Sequence, residues 1–155
     1  MKKKSTVPLK LDSMLCFTLY STSLAMSKAY RPLLKDWGLT YPQYLVLIAL
    51  GRKDGITISS LGEELFLDSG TLTPLLKRME STKLLVRRRS IEDERQVLVS
   101  LTTKGQELSV ELNALPHEIH ESTGFSVTEM KALTSALTKV RSSLLSFQES
   151  HSEED

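Results

Sequence analysis

One stretch constrains the fold more than any other: "DSGTLTPLLKRMESTKLLVRRRSIEDERQVLVSLTTKG", Asp68 to Gly105. Asp68 or Ser69 can cap a helix. Leu72, Leu75, Leu76 and Met79 then fall on one face, with Thr71, Thr73, Lys77 and Arg78 opposite. "LLVRRRS", "IEDERQ" and "VLVSLT" follow as strand, polar turn and strand. A capped amphipathic helix feeding a two-stranded ribbon leaves few folds open.

The flanking sequence is helical. From Asp12 to about Asp36 the apolar positions Leu15, Leu19, Met26, Tyr30 and Leu33 or Leu34 recur at three to four residues, with Asp12 or Ser13 as cap and Gly38 beyond the end. Thr40 and Pro42 open a second helix, "YPQYLVLIALGR", which stops at Lys53-Asp54-Gly55. Ile56 to Ile58 is a minimal strand. Ser59 or Ser60 caps a short third helix, with Glu63 at capping-box spacing from Ser60. The link Phe66-Leu67 joins it to the helix after Asp68. Beyond Leu101, Thr102 or Thr103 caps a segment from Lys104 to about Ser122, which Pro116 must kink or split. Ser126 and Glu129 form a capping box for a last helix to about Phe147, before an acidic tail expected to fray. Leu108, Leu112 and Leu115, then Met130, Leu133, Leu137, Val140 and Leu144, have no sheet to cover, so they are expected to pack on a second copy, the bland alternative being a helical cap within one chain.

Charge is informative only locally. The 155 residues carry a formal net charge of +1, and nothing global marks a nucleic-acid binder. Between Lys77 and Arg89, however, Lys77, Arg78, Lys83, Arg87, Arg88 and Arg89 face one acid, Glu80. Such a strip suits phosphate contact. Charged ribbons also serve simply to block edge aggregation. The single cysteine, Cys16, excludes a disulfide within one subunit, and His117, His120 and His151 form no metal motif with it. No metal and no cofactor is expected. The Lys2-Lys3-Lys4 tip is followed by a run that Lys10 and Asp12 break, so neither a signal peptide nor a membrane span is read, and a cytoplasmic protein is expected.

Helix, helix, short strand, helix, helix and ribbon is the order of a winged helix-turn-helix, mainly α with a small β wing. With helices bracketing it, the chain resembles the MarR family of bacterial transcription regulators over almost its whole length. Asp93, Arg95, Val97 and Leu101-Thr102-Thr103-Lys104-Gly105 look like that family's wing signature, Asp-x-Arg and then "LT-x-x-G". A single domain over residues 1–155 is implied, with dimerisation helices at about 12–36 and 104–147 and the DNA-binding region at about 40–101. Implied partners are a second copy and a palindromic operator in double-stranded DNA. Expected DNA contacts are Ser69, Gly70, Thr71 and Thr73 at the start of the helix, Lys77, Arg78 and Arg87 along the basic strip, and Arg95 in the minor groove, its guanidinium held by Asp93.

A narrower likeness concerns the thiol. "LCFTLY", Tyr30 and "LTYPQY" resemble the organic-hydroperoxide-sensing branch of the family, where tyrosines of the partner subunit hydrogen-bond the cysteine. Cys16, Tyr30 and Tyr41 stand where that pattern puts them, and Tyr20 lies one turn beyond Cys16. A lone buried cysteine is most often an inert small hydrophobe. Here a helix start and phenol hydroxyls favour a thiolate. The implied activity is repression in the reduced state and release of DNA when an organic hydroperoxide oxidises Cys16. With no resolving cysteine, the sulfenic acid ends as a mixed disulfide with a low-molecular-weight thiol, a sulfenamide or an overoxidised acid. A peroxidase is disfavoured, because its Pro-x-x-x-Thr-x-x-Cys context is missing. The rivals are a family member that senses a phenolic ligand or drug, and a one-cysteine global regulator of stress or virulence.

Overall fold

The computed structural model describes residues 10–152. The Lys2-Lys3-Lys4 tip and the end of the acidic tail lie outside them. The chain divides into two compact units, one ending at Ala114 and one beginning at Leu115.

The first unit opens with a 3-10 turn, Leu11–Ser13, and then α1, Leu15–Leu34. The expected cap at Asp12 or Ser13 is not what starts α1. Met14 holds the cap position in extended conformation with no side-chain cap bond, and the Ser13 hydroxyl donates to the Lys10 carbonyl instead. A second 3-10 turn, Lys35–Trp37, ends on Gly38, whose φ of 64° is the left-handed geometry that glycine adopts freely. Helix α2, Tyr41–Arg52, begins as expected at Thr40, whose N–H donates to the Gln43 side chain at 2.9 Å. It is the central helix: Tyr44, Val46, Leu47, Ala49 and Leu50 are all buried.

Strand β1, Ile56–Thr57, runs directly into α3, Ile58–Leu65. The cap of α3 is Thr57, which accepts from the Ser60 N–H at 3.0 Å, and not Ser59 or Ser60. Helix α4, Ser69–Ser81, starts at Asp68 as read from the sequence. Strands β2, Leu85–Arg89, and β3, Val97–Leu101, form the ribbon, and β1 adds to its other side, so the antiparallel order is β1–β3–β2. Arg87 pairs with Val99, which pairs on its other side with Ile56. Leu34, Leu47, Leu61, Leu72, Leu76 and Val99 have no exposed surface, or almost none, and form the core under the sheet and helices.

Helix α5, Thr103–Glu111, is capped by Thr102, whose hydroxyl also donates to the Lys83 carbonyl at 2.7 Å. Gly105 is buried, and a Cβ there would run into the Leu84 carbonyl oxygen. That close approach is the physical content of the "LT-x-x-G" pattern. A 3-10 turn, Leu112–Ala114, closes the unit, and the segment expected from Lys104 is split there, just ahead of Pro116. Leu108 and Leu112, expected on a partner, are instead buried within this chain, where α5 and the turn after it pack on α2.

The second unit holds α6, Leu115–Thr123, and α7, Val127–Ser152. Leu115 is also buried already. The Ser126–Glu129 box forms, the Ser126 hydroxyl donating to Glu129 at 2.6 Å. Helix α7 runs past Phe147 and leaves Leu133, Leu137 and Leu144 exposed along its length.

Candidate nucleic-acid interface and thiol site

The start of α4 is preorganised by its cap. Asp68 accepts the Thr71 N–H at 2.8 Å and the Thr71 hydroxyl at 2.9 Å. These bonds hold the Asp68 carboxyl below its ordinary range. Ser69, Gly70 and Thr71 are exposed, with the Thr71 hydroxyl committed to Asp68, while Thr73 is half-buried. Lys77 and Arg78 are exposed further along α4. The first-turn N–H groups of such a helix favour an anion, and here the Asp68 carboxylate already takes that of Thr71.

Arg87 does not join this free basic surface. Its guanidinium meets Glu80 through Nε at 3.0 Å and Nη2 at 2.6 Å, and its main-chain N–H donates to the other Glu80 oxygen at 3.0 Å. The Arg87 guanidinium is the main reason the Glu80 carboxyl is held below its usual range. Glu80 was read from the sequence only as the lone acid of the strip. No local pattern marks a helix-to-strand pair seven residues apart. Arg88 and Arg89, next in β2, remain exposed.

At the wing tip, Asp93 works mainly on the backbone. Its Oδ1 accepts the Arg95 N–H at 3.0 Å, and Oδ2 accepts from the Gln96 side chain at 3.3 Å. The expected grip on the guanidinium is long, with Nε 3.9 Å from the carboxylate and the Arg95 side chain 96% exposed. Arg95 is thus presented outward on an ordered turn. A groove between the wing and the start of α3 is lined by Thr57, Ser59, Ser60, Arg95 and Gln96. Its three hydroxyl residues were read from the sequence only as strand and caps.

Cys16 is exposed in the first turn of α1. The first helical acceptor, the Met14 carbonyl, is used by Thr18, so the N–H groups just before Thr18 have no partner within the helix. Tyr20 is exposed as well. Tyr30 and Tyr41 do come together, with ring centroids 4.7 Å apart, and Tyr44 completes a cluster at 5.2 Å from Tyr30 and 5.9 Å from Tyr41. Burial pushes all three phenols up, most strongly Tyr30, which also feels Tyr44 and Tyr41 and bonds to the Tyr44 hydroxyl. All three therefore stay protonated and able to donate at neutral pH. Tyr44 was missed, because an aromatic three residues after Tyr41 on an apolar helix reads as core packing.

Cys16 and this cluster are not together within one chain. Tyr30 stands fourteen positions beyond Cys16 along α1. At 1.5 Å of rise per residue they lie about 21 Å apart along the axis. Among the described residues, no group of three His, Cys, Asp or Glu side chains could hold a metal ion, and no helix is long and apolar enough to cross a membrane.

Residues 28–112 match the family model described as "Transcriptional regulator SarA/Rot". The chain is 48% identical over 129 residues to an organic hydroperoxide resistance transcriptional regulator of Bacillus subtilis, covering 83% of this chain and 88% of the relative. It is 47% identical over 137 residues to the HTH-type transcriptional regulator TtmR of Methylorubrum extorquens, covering 88% of this chain and 70% of that one. Among solved structures, reduced AbfR bound to DNA superposes with a TM-score of 0.71 at 34% identity, covering 87% of this chain and 94% of that chain.

Proposed function

Since this chain belongs to the SarA/Rot transcriptional regulators, within the wider MarR-type group of winged-helix proteins, we propose that it is a DNA-binding repressor switched by organic hydroperoxides at Cys16. The family works in transcription and not in catalysis. The single observation that carries the switch is the placement of its parts: an exposed thiol at one end of α1 and, at the other, a tyrosine cluster with Tyr30 and Tyr44 buried and Tyr41 half-buried. Separated by about 21 Å in one chain, they can meet only between two copies. The likeness to the hydroperoxide regulator supports the same reading.

In this mechanism two subunits pair, with the exposed leucines of α7 as part of the seam, and bring two copies of α4 to successive major grooves of a palindromic operator in the cytoplasm. Ser69, Gly70, Thr71 and Thr73 meet the duplex at the start of α4, Lys77 and Arg78 neutralise phosphates, and Arg95 enters the minor groove. Tyrosine hydroxyls of one subunit donate to the Cys16 thiolate of the other. The thiolate attacks the peroxide, takes one oxygen as sulfenic acid, and with a proton releases the alcohol. A low-molecular-weight thiol then condenses with the sulfenic acid, forming a mixed disulfide and water. The adduct is too large for the tyrosine contacts. Tyr41 opens α2, and its neighbours Pro42 and Gln43 share a cleft with Thr71, Pro74, Leu75 and Arg78 of α4. Displacing Tyr41 therefore shifts the helix that abuts the DNA-reading one, the kind of two-state interface that amplifies a local change.

The decisive experiment is a gel shift with cumene hydroperoxide and a small thiol. Cys16→Ser is expected to bind operator within about twofold of wild type, as for a substitution remote from the interface, and to stay bound in peroxide. A Cys16→Ser protein that still releases DNA in peroxide rejects the thiol switch. Release on adding a phenolic compound, with Cys16→Ser unaffected, would instead establish a ligand-sensing regulator.

A further inference from the structure

The bridge between α4 and the wing reaches beyond the residues proposed to touch DNA. Strand β2 is the sheet edge away from β1, so alternate main-chain N–H groups face off the sheet. That of Arg87 is taken by Glu80, whose other oxygen receives the guanidinium at 2.6 and 3.0 Å. One carboxylate thus ties the last turns of α4 to both the backbone and the side chain of a wing strand. The turn between them includes Lys83 at a φ of 60°, an uncommon conformation for a residue with a side chain. Thr102 and Lys104 fasten the same turn from α5, bonding the Lys83 and Thr82 carbonyls at 2.7 and 3.3 Å.

We propose that Glu80 is a positioning residue for DNA binding: by holding Arg87 at two points it fixes the angle of the wing to α4, so that α4 and Arg95 reach the duplex together. This rests on the reading that Arg95 contacts DNA. It reassigns Arg87 from phosphate contact to scaffold, and it places an acid beside a polyanion for a reason. A carboxylate near phosphates costs affinity by charge alone, so its effect through geometry must outweigh that cost. The two roles have opposite signs. If Arg87 were a phosphate contact merely neutralised by Glu80, removing Glu80 would free it and tighten binding. If Glu80 positions the wing, removing it loosens binding even though the interface becomes more positive.

The test is a double-mutant cycle on operator binding at fixed salt, with hydroxyl-radical footprinting. Glu80→Ala is expected to weaken binding about tenfold, and Arg95→Ala to cost less than about threefold in that background, because residues acting as a unit are not additive. The footprint under the wing should fade while that under α4 remains. Glu80→Gln removes the charge that grips the Arg87 guanidinium and keeps the side-chain stem, and its two expected signs are the same as for Glu80→Ala, so it carries the test if Glu80→Ala folds poorly. Glu80→Ala that binds as tightly as wild type, or tighter, overturns the proposal. So does Arg95→Ala costing its full factor in both backgrounds, which leaves the Arg95 contact standing. Arg95→Ala with no effect in wild type overturns the contact itself, and the positioning role with it.

Discussion

At the end that carries α4 and the wing, the charged groups that shape the backbone find partners inside the chain: Asp68 on Thr71, Glu80 on Arg87, Asp93 on the Arg95 N–H. At the thiol end, Cys16 is exposed, and the tyrosine cluster joins Tyr30, far down the same helix, to Tyr41 and Tyr44 of α2. The first region is bonded within one chain, whereas in the second the thiol and the tyrosines proposed to serve it stand apart. Under the proposed function, such a sensor reads its input only as an assembled pair, while the surface proposed to meet DNA is already shaped in one chain.

The largest expected effect tests how complete the first region is. Gly105→Ala puts a Cβ against the Leu84 carbonyl oxygen, a backbone atom that cannot swing aside. Overpacking of this kind costs about 3 kcal/mol, to be read in denaturant unfolding. A variant within experimental error of wild-type stability would mean that the turn before β2 yields, and that this region is less rigid than the bonding implies.

Arg95→Ala comes next. It is expected to weaken operator binding about tenfold to hundredfold, the scale of one good groove contact, and to lower the salt slope by about one. Peroxide-driven release should survive, because the wing takes no part in the thiol chemistry. Unchanged affinity at fixed salt would leave the exposed guanidinium as a solvated tip and nothing more.

How much of each region was legible follows the same division. The DNA-reading end is written in short-range signals. Asp68 caps α4, the strand–turn–strand pattern gives β2 and β3, and Gly105 follows from the wing signature. What escaped there is tertiary: the Glu80–Arg87 bridge, and the shift of the α3 cap to Thr57, which the strand before it imposes. Asp12 and Ser13 are good caps by type, yet a 3-10 turn intervenes before α1 and Met14 holds the cap position. The leucines after Thr103 were assigned to a partner because nothing in the sequence shows α5 folding back on α2. Cys16, Tyr30 and Tyr41 were singled out by resemblance. Only coordinates reveal that two of them cluster with Tyr44 and the third does not.

That separation yields a sharper trial than single substitutions. Tyr30→Phe with Tyr41→Phe removes two hydroxyl donors while keeping the rings. Oxidation of Cys16 should slow about tenfold, the scale of one lost hydrogen bond to a charged group. In a mixed dimer of this double variant with Cys16→Ser, the sole Cys16 lies in the subunit without donors, facing wild-type tyrosines. Sulfenic acid formation at the wild-type rate shows donation between subunits. A rate as slow as in the double variant alone would put the donors in the same chain and undo the contrast between the two regions.

The smallest effects separate the regions by pH. Asp68 and Glu80 are held below their ordinary values of 3.8 and 4.5, so their contribution to stability is complete above those values and is lost as pH falls through the lower folded ones. The three clustered tyrosines are raised above 10.0, so their contribution is complete below that value and is lost as pH rises through the higher folded ones. Acid should therefore loosen the start of α4 and the wing base first, seen as lost protection of the Thr71 and Arg87 amides. Alkali should loosen the junction of α1 and α2 first, seen as delayed tyrosinate absorbance followed by unfolding. Neither change depends on DNA or on oxidation of Cys16, so both can be read on the free reduced protein. Simultaneous loss of both regions at either extreme would show that the first unit unfolds as one body, and that its two ends differ in chemistry but not in stability.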